Sequence, residues 1–192
     1  MRARSETQTV WSIGGKAVAI QADLSKPDEI ERLFGAVAAQ FAKVDILVNN
    51  AGVYDFSPFS VEGRSDDIRR QCHGLLLATK SAVALMPAEG CVINICSNAA
   101  DTAPAMTSIY AATKGAVNTI TRVLALELAP KAIRVNAVAL GAVKTQGFGA
   151  IGNLPHEAEF VKLIPLVRLG VPKDIAGVVV FLASEDDRPG RA

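Results

Sequence analysis

Ser97, Tyr110 and Lys114 are the residues of this chain whose types and spacing best suit chemistry. Tyr110 and Lys114 stand four apart in a segment that reads as helix, so they share one face. An ammonium beside a phenol favours the phenolate and lowers its pKa from about 10. A tyrosine tuned in this way exchanges a proton with an alcohol or carbonyl near neutral pH. Ser97 falls at the carboxyl end of a predicted strand, the end at which open parallel sheets bind ligands. Its hydroxyl can donate there to a substrate oxygen as negative charge develops. Each residue also has a plainer use: taken alone, Tyr110 and Lys114 form a surface pair, and a serine at a strand end caps a turn or helix.

The elements that must position these groups are legible as alternating patterns. Ala17–Gln21, Val44–Val48, Cys91–Cys96 and Ile133–Ala139 are short apolar runs that read as buried strands. A helix opens after Asp23-Leu24-Ser25, with Ser25 as its cap, Pro27 early, Asp28 and Glu29 at the positive end of the dipole, and Ile30, Leu33, Phe34, Val37 and Phe41 at helical spacing. Arg64–Met86 and Ser108–Leu128 read as long helices and Pro172–Ser184 as a final one; Gly141–Pro155 reads as a loop. Strands that are continuous apolar runs, alternating with helices, predict an α/β fold: a doubly wound parallel sheet covered on both faces. The 192 residues show no repeat, low-complexity tract or linker, so the whole chain, 1–192, is expected to form one domain.

Composition narrows the functions further. Twenty Lys and Arg nearly balance nineteen Asp and Glu, leaving no basic footprint for nucleic acid. No apolar run reaches the roughly 18 residues that cross a bilayer, and no apolar stretch follows the N-terminal arginines as in a secretory signal. Cys72, Cys91 and Cys96 share no metal-ligand spacing with His73 or His156, so no metal site is expected and the cysteines read as reduced thiols of a cytoplasmic protein.

Asn49-Asn50-Ala51-Gly52 directly after Val44–Val48 closely resembles the N-N-A-G motif of the short-chain dehydrogenase/reductase family. Ser97, thirteen residues before Tyr110, matches the spacing of that family's catalytic serine and tyrosine, and Tyr110-Ala111-Ala112-Thr113-Lys114 matches its Y-x-x-x-K motif. Ile133–Val138 resembles its strand before the substrate loop, and Arg168-Leu169-Gly170 with Pro172 and Asp174-Ile175-Ala176 resembles its C-terminal turn and helix. The resemblance implies a Rossmann-like fold and reversible hydride transfer between NAD or NADP and a small-molecule alcohol/carbonyl pair. Residue by residue it implies Tyr110 as general acid/base, Lys114 as the group that lowers its pKa and bonds the nicotinamide ribose, and Ser97 as the orienter of the carbonyl. Gln71 falls where the family has an asparagine that holds a relay water. Asn50, Ala51 and Gly52 would line the cofactor, Asp23 and Leu24 would meet the adenine, and the Val143 backbone would meet the nicotinamide amide. Asp23 keeps a structural alternative as an acid at a helix start, and the neighbouring Asn49 reads as a tie between strands, which leaves Asn50 as the cofactor residue of the pair. The resemblance also implies a homo-oligomer through the Arg64–Met86 and Ser108–Leu128 helices; the small residues around Gly115 suit a neighbouring helix or a partner subunit equally.

The sequence departs from that pattern at both ends. No T-G-x-x-x-G-x-G loop is present, and the family's first two strands and last strand have no counterpart, so the expected sheet is partial. Because that loop presents the pyrophosphate to a helix N-terminus, very weak or no NAD(P)H binding is expected of the chain alone. The expected sheet leaves Val44–Val48 at an edge, and Ala17–Gln21 is expected to move over and pair with it. Three readings follow: a family oxidoreductase, an inactive relic serving as a binding or assembly module, or a piece of a longer coding sequence that carries the loop upstream.

Overall fold

The computed structural model describes residues 15–52, 68–145 and 161–187. In chain order the elements are α1 (Pro27–Phe41), β1 (Ile46–Asn49), a π-helical segment (Arg69–Gly74) running into α2 (Leu75–Ala84), β2 (Cys91–Ser97), a short α3 (Ala99–Thr102), α4 (Ser108–Leu128), β3 (Arg134–Leu140) and α5 (Pro172–Ala183). The strands form one parallel sheet in the order β1-β2-β3, with Asn49 beside Asn94 and Ser97 beside Leu140.

Side chains of β2 alternate between two helical layers, as a strand buried on both faces must. Val92 and Cys96 pack under α2 and α4 with Val117, Leu124 and Leu128, whereas Cys91, Ile93 and Ile95 pack against Val179, Leu182 and Ala183 of α5. This is the doubly wound arrangement expected from the sequence. Register puts Ile46 and Val48 of β1 on the α5 side, where α5 packs on β2 and β3, and both remain exposed.

The amide of Asn49 donates to Thr79 Oγ1 at 3.0 Å and to Asn94 Oδ1 at 2.9 Å, and the Asn94 amide donates to Thr121 Oγ1 at 2.9 Å. Asn94 is fully buried, so these bonds supply the partners that its amide would otherwise lose with water. They tie β1, β2, α2 and α4 together, which is the structural alternative for Asn49.

Three expectations need correction, and a fourth falls largely outside the described residues. Ala17–Gln21 is not a strand and does not pair with β1; the Gln21 carbonyl accepts instead from Arg32 Nη2 at 2.6 Å, so a group the ladder would need is spent on a guanidinium. Ser25 does not cap α1, because Pro27 sets the start of the helix and makes Lys26 the flanking residue. The Ser25 N–H and hydroxyl both donate to Asp23 Oδ1 instead, at 3.0 and 2.8 Å. The helix expected over Arg64–Met86 begins, among the described residues, with a π-helical turn, and its α-helical part ends at Ala84; residues 64–67 lie outside the described residues. Of the Gly141–Pro155 loop only 141–145 is described, and Val143 there bridges Gly170 in parallel.

Gly74 explains how the π segment meets the start of α1. A β-carbon there would fall 2.1 Å from the Leu24 carbonyl oxygen, so the two backbones touch where any side chain would stand. Gly74→Ala should therefore destabilise the fold by about 1–3 kcal/mol through overpacking. Gly35 in α1 has nothing within 4 Å of such a carbon, and Gly35→Ala should stabilise by about 1 kcal/mol through helix propensity. Urea midpoints of both variants check the pair; equal shifts would show that Leu24 does not press on Gly74.

Candidate active site

Helix α4 presents Tyr110 and Lys114 on one face, one turn apart, as their spacing requires. The Lys114 Nζ lies 5.8 Å from the centroid of the Tyr110 ring, within cation–π range. The same ammonium donates to the Ile95 carbonyl at 2.9 Å. Ile95 lies two residues before Ser97 on β2, so one bond fixes the catalytic-type helix against the strand that carries the serine. Lys114 is only 8 % exposed, and burial pushes its pKa below the ordinary 10.5, with the nearby Cys96 and Cys72 thiols opposing.

Ser97 closes β2, largely buried, and its Oγ accepts the Ala99 N–H at 3.2 Å. Its hydroxyl therefore retains its own proton for donation. Gln71 is buried in the π segment, where its Oε1 faces Gly52: a β-carbon at Gly52 would lie 3.6 Å from that oxygen and 3.8 Å from Lys114 Nζ. The missing side chain leaves a cradle above both groups. Asn50, Ala51 and Gly52 follow β1 as an exposed strip, with the Asn50 N–H turned back to the Val48 carbonyl. Tyr110, Lys114, Gln71 and Gly52 thus converge, with Ser97 on the strand beneath.

The remaining candidates stand apart on neighbouring loops. Asp23 accepts from Ser25 and from Arg70 Nε at 3.4 Å, and these bonds, the Ser25 N–H foremost, hold its carboxyl below the usual range. That is the work of an acid at a helix start. Leu24 touches the π segment through Gly74. Val143 follows β3; Lys144 N–H donates to the Gly170 carbonyl and Gly170 N–H to that of Ala142, at 2.8 and 2.9 Å. Those bonds flank Val143, so its own N–H and carbonyl point away from Gly170. The sequence reading missed the Ile95 carbonyl as the lysine's acceptor, because backbone acceptors leave no signature in residue type, and it missed the close approach of Gly74 to Leu24, whose only signal was a glycine inside a helical pattern. Among the described residues no group of His, Cys, Asp and Glu side chains is arranged to hold a metal ion.

A family model described as enoyl-(acyl carrier protein) reductase matches residues 1–189. An uncharacterized oxidoreductase of Methylorubrum extorquens is 43 % identical over 188 residues, covering 94 % of this chain and 75 % of the relative. A 3-oxoacyl-[acyl-carrier-protein] reductase of Synechocystis is 34 % identical, covering 90 % of this chain and 70 % of its own length. Among solved structures, a short-chain dehydrogenase of Burkholderia cenocepacia in complex with NADP superposes with a TM-score of 0.90 at 27 % identity, covering 98 % of this chain and 78 % of that one. A blue fluorescent protein from a metagenomic library in complex with NADPH gives 0.89 at 32 % identity, covering 97 % and 76 %. The chain belongs to the short-chain dehydrogenase/reductase family, with its α/β Rossmann-like fold.

The buried ammonium yields a test of the geometry. A folded chain that releases this proton at lower pH than the unfolded chain leaves the unfolded state with more bound protons between the depressed pKa and 10.5, so stability rises with pH across that window. Lys114→Met should abolish that rise. Urea midpoints followed from neutral pH to 10.5 measure it, and parallel curves for the two proteins would place Lys114 in water.

Proposed function

We propose that this chain carries the proton-transfer machinery of an NAD(P)-dependent oxidoreductase acting on an alcohol/carbonyl pair. The observation that supports the reading best is the Lys114 ammonium set over the Tyr110 ring and anchored to Ile95. In the reductive direction the Tyr110 hydroxyl delivers its proton to the carbonyl oxygen, while Ser97 donates a hydrogen bond that holds that oxygen and stabilises its growing charge. Lys114 favours the phenolate left behind, and Gln71 stands in for the family's asparagine, its longer amide aimed at the same corner.

The residues present fit a nicotinamide cofactor. Gly52 leaves space over Lys114 and Gln71, the Val143 peptide groups face away from their bridge, and Asn50 and Ala51 line the same strip. When bound, the nicotinamide supplies or takes the hydride. Lys114 would bond the ribose, Val143 the carboxamide, and Asp23 with Leu24 the adenine end. No T-G-x-x-x-G-x-G loop occurs in these 192 residues, so this chain alone holds NAD(P)H weakly and turns over slowly, at a rate measurable only when cofactor is saturating. Three free cysteines, two of them buried, fit a reducing cytoplasm.

Two measurements test this. NADPH fluorescence titration should give an affinity much weaker than micromolar; a micromolar value overturns the weak-binding claim. Carbonyl-dependent NADPH oxidation at saturating cofactor should fall about 10²–10⁴-fold in Tyr110→Phe. A rate in that variant equal to the parent removes Tyr110 from the reaction, whereas no oxidation in the parent favours the second reading, a binding or assembly module.

That second reading draws on exposed apolar side chains. Leu76 on α2 and Val123 and Leu126 on α4 face outward, Leu126 at 79 % exposure. We place a homo-oligomer contact on these two helices. Light scattering should show the mass of an oligomer that drops on Leu126→Glu; an unchanged mass would move the contact elsewhere.

A further inference from the structure

Gly170 sets the direction of the Val143 peptide groups. It commits both of its backbone groups to the bridge: its N–H donates to the Ala142 carbonyl at 2.9 Å, and its carbonyl accepts the Lys144 N–H at 2.8 Å. How Gly170 is turned therefore decides where the Val143 N–H and carbonyl point.

Arg168 and Asp174 hold Gly170 from the opposite side. In a trans peptide the N–H and the carbonyl point opposite ways. The peptide that carries the Gly170 N–H also carries the Leu169 carbonyl, which accepts from Arg168 Nη1 at 3.2 Å. The peptide that carries the Gly170 carbonyl also carries the Val171 N–H, which donates to Asp174 Oδ2 at 2.9 Å. Arg168 Nη1 donates to that same Asp174 oxygen at 2.8 Å and so joins the two contacts. Each peptide plane beside Gly170 is thus fixed at both ends, once by the chain that extends β3 and once by the ion pair. The buried Leu169 side chain anchors the same turn from below.

The bond between Asp174 and Val171 also has an ordinary use, since an acid at the third helical position accepts the N–H of the residue that flanks the helix. A cap of that kind needs no Arg168. Both side chains of the pair are exposed, at 56 % and 38 %, and an ion pair in water adds little to stability. The Arg168 guanidinium, foremost, holds the Asp174 carboxyl below the usual carboxylate range, so the pair stays closed at neutral pH. What such a pair supplies is direction. We propose that Arg168 and Asp174 are positioning residues of the active site, setting the Val143 peptide groups for the carboxamide of a nicotinamide; this rests on the oxidoreductase reading above.

The test uses the whole chain and reduced nicotinamide mononucleotide, which carries the carboxamide and has no pyrophosphate to be held. NMR follows the backbone amide of Val143, with that of the buried Ile93 in the sheet centre as reference. In the parent the Val143 signal should shift saturably while that of Ile93 stays put. Asp174→Ala should displace the Val143 signal before any nucleotide is added and weaken the nucleotide about tenfold, while the melting temperature falls little. Arg168→Ala should act in the same direction. Asp174→Asn keeps an oxygen for the Val171 N–H and should recover part of the affinity. A Val143 signal that the nucleotide never moves, or parent affinity in both alanine variants, overturns the proposal. So does a large fall in melting temperature with affinity unchanged, the signature of a helix cap and nothing more. These readouts need no turnover. A chain that oxidises no NADPH yet loses affinity on Asp174→Ala keeps the positioning pair and loses the oxidoreductase reading; an active chain whose affinity ignores both alanine variants loses only the pair.

Discussion

The site depends on one buried cation. Lys114 is carried into the protein by α4, and an ammonium taken from water must find acceptors or give up its proton. It finds the Ile95 carbonyl at 2.9 Å and the Tyr110 ring face. That choice of acceptor links chemistry to architecture. The carbonyl belongs to β2, two residues from Ser97, so the bond that satisfies the lysine also sets the distance between the helix and the strand end. Were the acceptor a mobile carboxylate, the phenol would have a charged neighbour but no fixed height above the sheet.

A second set of polar bonds keeps β2 in place beneath that contact. Asn49, Asn94, Thr79 and Thr121 bridge β1, β2, α2 and α4 through side chains, inside a layer that is otherwise apolar. Two of the threonines also donate to carbonyls one turn back in their own helices, Thr79 to Leu75 and Thr121 to Val117. The network is directional where hydrophobic packing is not. It fixes the rotation of α4 about its axis, and that rotation decides whether Tyr110 and Lys114 face the strand ends.

What was legible in the sequence follows from how local each cause is. The limits of α4 and the start of α5 are written in local pattern and in Pro172, and both appear where expected. The pairing of Tyr110 with Lys114 is also local, since helical spacing alone brings them to one face. The fate of Ala17–Gln21 is not local: its β-type composition says it favours extended chain, but a strand needs a neighbour, and Arg32 reaches its last carbonyl first. The misplaced cap at Ser25 is a one-residue matter, decided by Pro27. The π turn over Arg69–Gly74 has no composition of its own, and the backbone that presses on it lies far away in the sequence.

What presses on it is Leu24. The closest backbone approach at Gly74 joins the loop bearing Asp23 and Leu24 to the segment bearing Gln71, and the Asp23–Arg70 pair closes the same junction from the other side. A π turn admits one more residue per turn than the α-helix it runs into, and such turns recur at functional sites because they re-aim the side chains they carry. Here the turn buries Gln71 toward Gly52 and sets Cys72 against the Thr113 carbonyl, in the turn of α4 that leads to Lys114. The position of the lysine is thus constrained from two directions, by the strand carbonyl it bonds and by the helix that the start of α1 holds against it. A change at Gly74 would reach the ammonium without touching it, through the π turn, and its effect on the phenol would be a matter of geometry rather than of charge.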